Sequence, residues 1–205
     1  MKKDRAVAFD CDGVMFDSRQ ANINYYNYLL SRFGLPAMTG EKIDFVHAYT
    51  AKESIRHIFE GTPYLTRAID LAKDTDYTPF IYDMIIEPGL RELLEALRPD
   101  FGLGVATNRG NTIPKVLEYN DLSGYFDIVV SSLDVKNPKP HPDGLLKILD
   151  FFKIPPANLT YIGDSLLDYQ CAKAAGVVFI AYKNRDLDAD HYVESMPEVA
   201  EVIRR

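Results

Sequence analysis

Short runs of small, β-branched and aromatic apolar residues alternate along most of the chain with stretches whose apolar positions recur every three to four residues. A run that is apolar throughout suits a strand covered on both faces, and strand–helix alternation is the pattern of crossover units that build a parallel sheet. The pattern predicts strands at Arg5 to Asp10, Gly102 to Thr107, Asp127 to Ser131, Leu159 to Gly163 and Val177 to Tyr182. Helices are expected between the last four, at Thr112 to Asn120, Pro142 to Phe152 and Leu166 to Ala175, with Gly176 as a C-terminal stop. The expected fold class is α/β, a doubly wound parallel sheet of the Rossmann type.

The first strand breaks this rhythm, because the next arrives only at Gly102 and a crossover needs little more than a dozen residues. The intervening sequence predicts helices at Ala21 to Phe33, closed by Gly34 and Pro36, at Thr50 to Phe59, and at Thr66 to about Met84. It shows no strand pattern, internal repeat or low-complexity segment. The expectation is therefore a core of residues 1–16 and 87–205 with an inserted α-helical domain of residues 17–86, joined by crossings near Phe16 to Arg19 and Ile85 to Gly89. The tail from Asp186 to Arg205 is left without an assigned place.

Composition narrows the class. Of 205 residues, 47% are hydrophobic and 26% charged, as in an ordinary folded protein. The net charge of -7 repels a phosphate backbone, so no nucleic-acid partner is expected. Cys11 and Cys171 have neither metal-site spacing nor the number for a disulfide framework, and no apolar run approaches a membrane span or a signal-peptide core. A cytoplasmic protein without a membrane partner, monomeric or a weak homodimer, is the expectation.

Open parallel sheets bind ligands beyond the carboxyl ends of their strands. Those positions are acidic here: Asp10-Cys11-Asp12-Gly13 follows the first strand, Thr107-Asn108 the second, and Gly163-Asp164-Ser165 with Asp168 the fourth, while Asn137 to Pro142 carries Lys139. Each piece alone has an ordinary explanation, a turn for the first and a helix cap for Ser165 and Asp168. Together, Asp10, Asp12, Asp164 and Asp168 would crowd one crevice against one lysine. Two like charges ~4 Å apart repel by roughly 4 kcal/mol at an effective dielectric of about 20, so a cation is required. All-oxygen ligands with room for phosphate and water suit Mg²⁺.

That constellation supports nucleophilic attack on phosphorus by Asp10 and acid–base work by Asp12, with Gly13 opening room for backbone amides and Thr107 and Lys139 holding phosphate oxygens. With Phe16-Asp17-Ser18, these four motifs resemble those of the haloacid dehalogenase (HAD) superfamily, in its phosphoglycolate phosphatase and β-phosphoglucomutase-like members with a helical cap, over nearly the whole chain. The resemblance implies Asp10 as nucleophile, Asp12 as acid/base, and Mg²⁺ held by the Asp10 carboxylate, the Asp12 carbonyl and Asp164, with Asp168 as a further or water-mediated ligand. It implies phosphate binding by Thr107, Asn108 and Lys139, and a mobile cap that excludes water. The acid at position 12 favours phosphoryl transfer over dehalogenation.

The expected function is a Mg²⁺-dependent phosphatase acting on a small phosphorylated metabolite through an aspartyl-phosphate. A phosphomutase would use the same core residues, and a non-catalytic phospho-binding regulator is a third possibility, opposed by Asp12 and the long insertion. Lys52 and Arg56, in the first turns of a helix whose start has the capping-box spacing Thr50 to Glu53, are candidate substrate contacts. Arg19, His47, His57 and His191 read as surface or packing residues; His141 stands near the site. Cys11 is expected to point into the core.

Overall fold

A computed structural model describes residues 3–204; Met1, Lys2 and Arg205, at the ends of the expected core, lie outside the described residues. The chain opens on β1 (Ala6–Phe9), with all four side chains buried. There follow a two-residue strand, β2 (Phe16–Asp17), and the helices α1 (Arg19–Ser31), α2 (Glu41–Ala48), α3 (Ala51–Ile58), α4 (Leu65–Asp74) and α5 (Thr78–Ile81). Strand β3 (Ile85–Ile86) returns antiparallel to β2, Phe16 opposite Ile86 and Asp17 opposite Ile85. The rest runs α6 (Leu90–Leu97), β4 (Gly102–Ala106), α7 (Ile113–Tyr119), β5 (Ile128–Val130), α8 (Asp143–Phe152), β6 (Leu159–Gly163), α9 (Leu166–Ala175), β7 (Val178–Tyr182), β8 (His191–Val193) and α10 (Met196–Arg204).

Six strands form one parallel sheet in the order β5-β4-β1-β6-β7-β8. The twofold alternation of β1 divides the core: Val7 and Phe9 join the buried side chains of α6, α7 and α10, while Ala6 and Ala8 face those of α8 and α9. The chain lays β4 and β5 on one side of β1 and then crosses to lay β6, β7 and β8 on the other. That reversal leaves a crevice at the carboxyl end of β1, where such sheets take their ligands.

The α/β expectation holds, and the five expected strands lie within one or two residues of those observed. The inserted stretch, expected without strands, is entered and left through the paired β2 and β3, each too short to show alternation. The single helix expected from Thr66 to Met84 is two. Helix α4 stops where Thr75 turns extended with its hydroxyl on the Leu71 carbonyl, and α5 restarts after Asp76, whose carboxylate accepts from the Thr78 backbone and hydroxyl. Helices α2, α6 and α10 and strand β8 were not expected. Among the described residues, no helix is long and apolar enough to cross a membrane.

Candidate active site

The parallel register that sets Phe9 beside Val105 and Ile162 ends three strands at one level, so the residues following β1, β4 and β6 meet. Asp10, Asp164 and Asp168 each offer a carboxylate oxygen within 4.8 Å of the others. Two glycines make this approach possible. At Gly13, with φ +80°, a Cβ would lie 2.0 Å from Asp164 Oδ2; at Gly163, a Cβ would lie 2.3 Å from that of Asp168.

Lys139 is the positive centre of this cluster, its Nζ 2.8 Å from Asp10 Oδ1 and 2.6 Å from Asp168 Oδ1. Asp168 is completely buried and fully satisfied. Its Oδ1 also accepts from the Tyr161 hydroxyl (2.6 Å), and its Oδ2 accepts from the backbone N–H (3.0 Å) and hydroxyl (2.5 Å) of Ser165 in the capping box that opens α9. Burial pushes the Asp168 carboxyl up, but Lys139 and these hydrogen bonds override it and hold the carboxyl below its ordinary range. Asp10 is treated differently. Its contact with Lys139 is out of hydrogen-bond alignment, leaving Oδ1 buried without a donor. Burial raises its carboxyl to about 7, Lys139 offsetting only part of the effect and Asp168 and Asp12 adding to it. Burial, with Asp168 and Asp10, likewise drives Asp164 well above the usual carboxylate range.

Asp12 turns away from this trio. Arg109 grips its carboxylate at two points, Nη2 to Oδ1 at 2.5 Å and Nε to Oδ2 at 3.1 Å, and the Ser18 hydroxyl donates to Oδ1. Burial pushes Asp12 up, yet the guanidinium wins and holds it at about 2. Arg109 was not foreseen from the sequence. Its position directly after Thr107-Asn108 was the available signal, but no local pattern separates a solvated arginine from one folded back into a crevice.

Thr107 and Asn108 are buried at the end of β4. The Thr107 hydroxyl accepts from the Arg109 backbone N–H at 3.1 Å, and Asn108 Nδ2 donates at 3.2 Å to the carbonyls of Lys139 and of Ala48, the latter at the end of α2. The insertion thus touches the crevice. Lys52 and Arg56 are exposed on α3 and make no ion pair or hydrogen bond to the acids among the described residues; Arg56 lines a 480 Å³ cleft with Phe45, His57 and Leu65 instead. Arg19 pairs with Asp44 at the surface, and His141 is exposed. His57 stacks on Phe45, which stacks in turn on Tyr49. Cys11 is fully buried, and burial keeps its thiol protonated.

The donor set fits a hard divalent cation. Three carboxylates converge, one buried oxygen has no donor, and two carboxyls are driven upward by burial and, beyond it, by neighbouring carboxylates whose charge a cation would offset.

Residues 7–182 match the family model of the haloacid dehalogenase-like hydrolases. A phosphoglycolate phosphatase of Nitrosospira multiformis is 32% identical over 222 residues, covering 98% of this chain and 96% of its own. Among solved structures, a HAD-superfamily hydrolase of subfamily IA from Geobacter sulfurreducens superposes with a TM-score of 0.80 at 39% identity, covering 97% of this chain and 96% of that one. A β-phosphoglucomutase from Clostridium difficile shares the fold, with a TM-score of 0.85 at 21% identity over 98% and 95% of the two chains.

Proposed function

The chain belongs to the haloacid dehalogenase-like hydrolase family, and from that premise we propose a phosphatase that cleaves a small phosphomonoester in two steps through Asp10. The observation that carries this reading is the convergence of the Asp10, Asp164 and Asp168 carboxylates, two of them paired with Lys139, with Asp12 held two residues from Asp10. Asp10, short of donors, is the nucleophile toward phosphorus. Asp12 takes a proton from the water that releases the phosphoryl group, the direction its ionised state allows; to give one to the leaving oxygen it must first be protonated against the pull of Arg109.

Lys139, Thr107 and Asn108 hold the phosphoryl oxygens. Asp168, saturated by four hydrogen bonds, acts chiefly by fixing Lys139. Asp10, Asp164 and the Asp12 carbonyl would hold Mg²⁺, with Asp168 one layer behind. The ion would offset the carboxylates' charge and let an anionic phosphate enter. The insertion of residues 17–86 is the cap that shuts out bulk water, since its Ala48 carbonyl already sits on Asn108. A phosphoglycolate-like or sugar-phosphate compound is the proposed substrate, in line with the name of the Nitrosospira relative.

The test is hydrolysis of p-nitrophenyl phosphate with Mg²⁺, with EDTA, and by Asp10→Asn. Loss of activity in both perturbed arms is expected. Activity indifferent to either contradicts the reading, and isomerised sugar phosphate formed without free phosphate points to a phosphomutase.

A further inference from the structure

We propose that Arg109 is the positioning residue for Asp12, and that it takes its own position from the inserted helices. The inference rests on the acid–base reading of Asp12 given above. A carboxylate held at one point can swing; one held side-on by Nε and Nη2 has its plane fixed as well as its place. The Arg109 side chain is only 5% exposed, so this contact is built into the interior.

The guanidinium is itself held from two directions. On the core side, its Nη1 donates to Thr112 Oγ1 at 3.3 Å, while the Arg109 main chain is tied by its N–H to Thr107 Oγ1 at 3.1 Å. On the insertion side, the Tyr77 ring lies 5.0 Å from its carbon centre and Asn22 Oδ1 3.5 Å from Nη2. Tyr77 fixes Asn22 in turn, its hydroxyl donating to Oδ1 at 3.0 Å. Asp12 is therefore oriented by a group that two residues of the insertion hold in place, and its orientation depends on the insertion being seated.

The consequence falls on release of the phosphoryl group. There the water oxygen bonds to phosphorus, the P–O bond to Asp10 breaks with its electron pair returning to Asp10, and the water proton passes to an Asp12 oxygen. A misdirected Asp12 slows this step. p-Nitrophenolate leaves without needing a proton, so with p-nitrophenyl phosphate and Mg²⁺ formation of the aspartyl-phosphate is spared.

For Arg109→Lys, which keeps the charge and loses the fork, kcat should fall by about tenfold or more with KM falling alongside, and kcat/KM should stay within roughly threefold. Stopped flow should show a burst of p-nitrophenolate stoichiometric with enzyme. Tyr77→Leu leaves the Arg109–Asp12 pair intact but loosens its support; it should shift kcat and the burst in the same direction, and it carries the test if the lysine variant does not melt cooperatively. Asp12→Asn is the reference. No burst in Asp12→Asn overturns the acid–base reading itself, whereas a burst there with wild-type kcat and no burst in folded Arg109 and Tyr77 variants overturns the positioning alone.

Discussion

Asp10 and Asp12 are two residues apart, yet their surroundings drive their carboxyls in opposite directions, to about 7 and about 2. The difference is one of partners: Arg109 commits fully to Asp12, while Lys139 is shared between Asp10 and Asp168. Because Asp10 is raised from 3.8, the folded chain without a cation binds its proton more tightly than the unfolded chain does. Its contribution makes the metal-free protein less stable as pH rises from about 4 toward 7, with no further change beyond. Mg²⁺ should accordingly raise Tm more at pH 8 than at pH 5 in thermal melts; an equal shift at both would contradict the assignment of Asp10 to the cation. Gly13→Ala tests the same site sterically. The φ of +80° costs about 1–2 kcal/mol for any other residue, and the methyl would displace the Asp164 carboxylate. Calorimetric titration should show weakened Mg²⁺ binding, with activity lost in parallel. That Asp10, Asp164 and Asp168 would meet in one crevice with Lys139 was legible, because the acids stand just beyond strand ends that a parallel sheet brings side by side. Arg109, Asn22 and Tyr77 were not, because what distinguishes them is a contact between segments far apart in sequence.

Among the elements, α9 links fold to chemistry, since the capping box that starts the helix also completes the shell of Asp168. Ser165→Ala should cost about 1 kcal/mol as a lost cap and, by removing one of the two donors to Asp168 Oδ2, should also lower activity through Lys139. Chemical denaturation paired with p-nitrophenyl phosphate turnover checks both effects; a stability loss with wild-type turnover would detach Asp168 from the site. The elements legible beforehand were those with a continuous buried pattern. Helix α2 buries only Val46, and β8 buries only Val193, so neither displays a periodic face. In α6, by contrast, Leu90, Leu93, Leu94 and Leu97 form a clear stripe at helical spacing, a signal present in the sequence. The break between α4 and α5 depends on Thr75 and Asp76 capping backbone groups, which apolar periodicity does not register.

At the scale of the molecule, the doubly wound sheet was readable from strand–helix alternation alone, and the long interval after β1 pointed to the helices α1 to α5 that fill it. The place of the C-terminal tail was not, because its burial depends on what α6 leaves uncovered. There α10 buries Met196, Val199 and Ile203 beside Leu90, Leu94 and Leu97. Burial of those three side chains contributes about 1.5–3 kcal/mol each, a sum comparable with the roughly 5–15 kcal/mol that holds a whole domain together. A chain truncated before Asp186 should therefore lack a cooperative thermal transition, and a wild-type Tm would contradict that packing role. The central claim is covalent attachment of a phosphoryl group to Asp10. Peptide mass spectrometry after rapid acid quench of Asp12→Asn with p-nitrophenyl phosphate and Mg²⁺ should find one phosphoryl group on the peptide carrying Asp10, absent from the Asp10→Asn control; turnover with that peptide unmodified, or with the label on another residue, would contradict it.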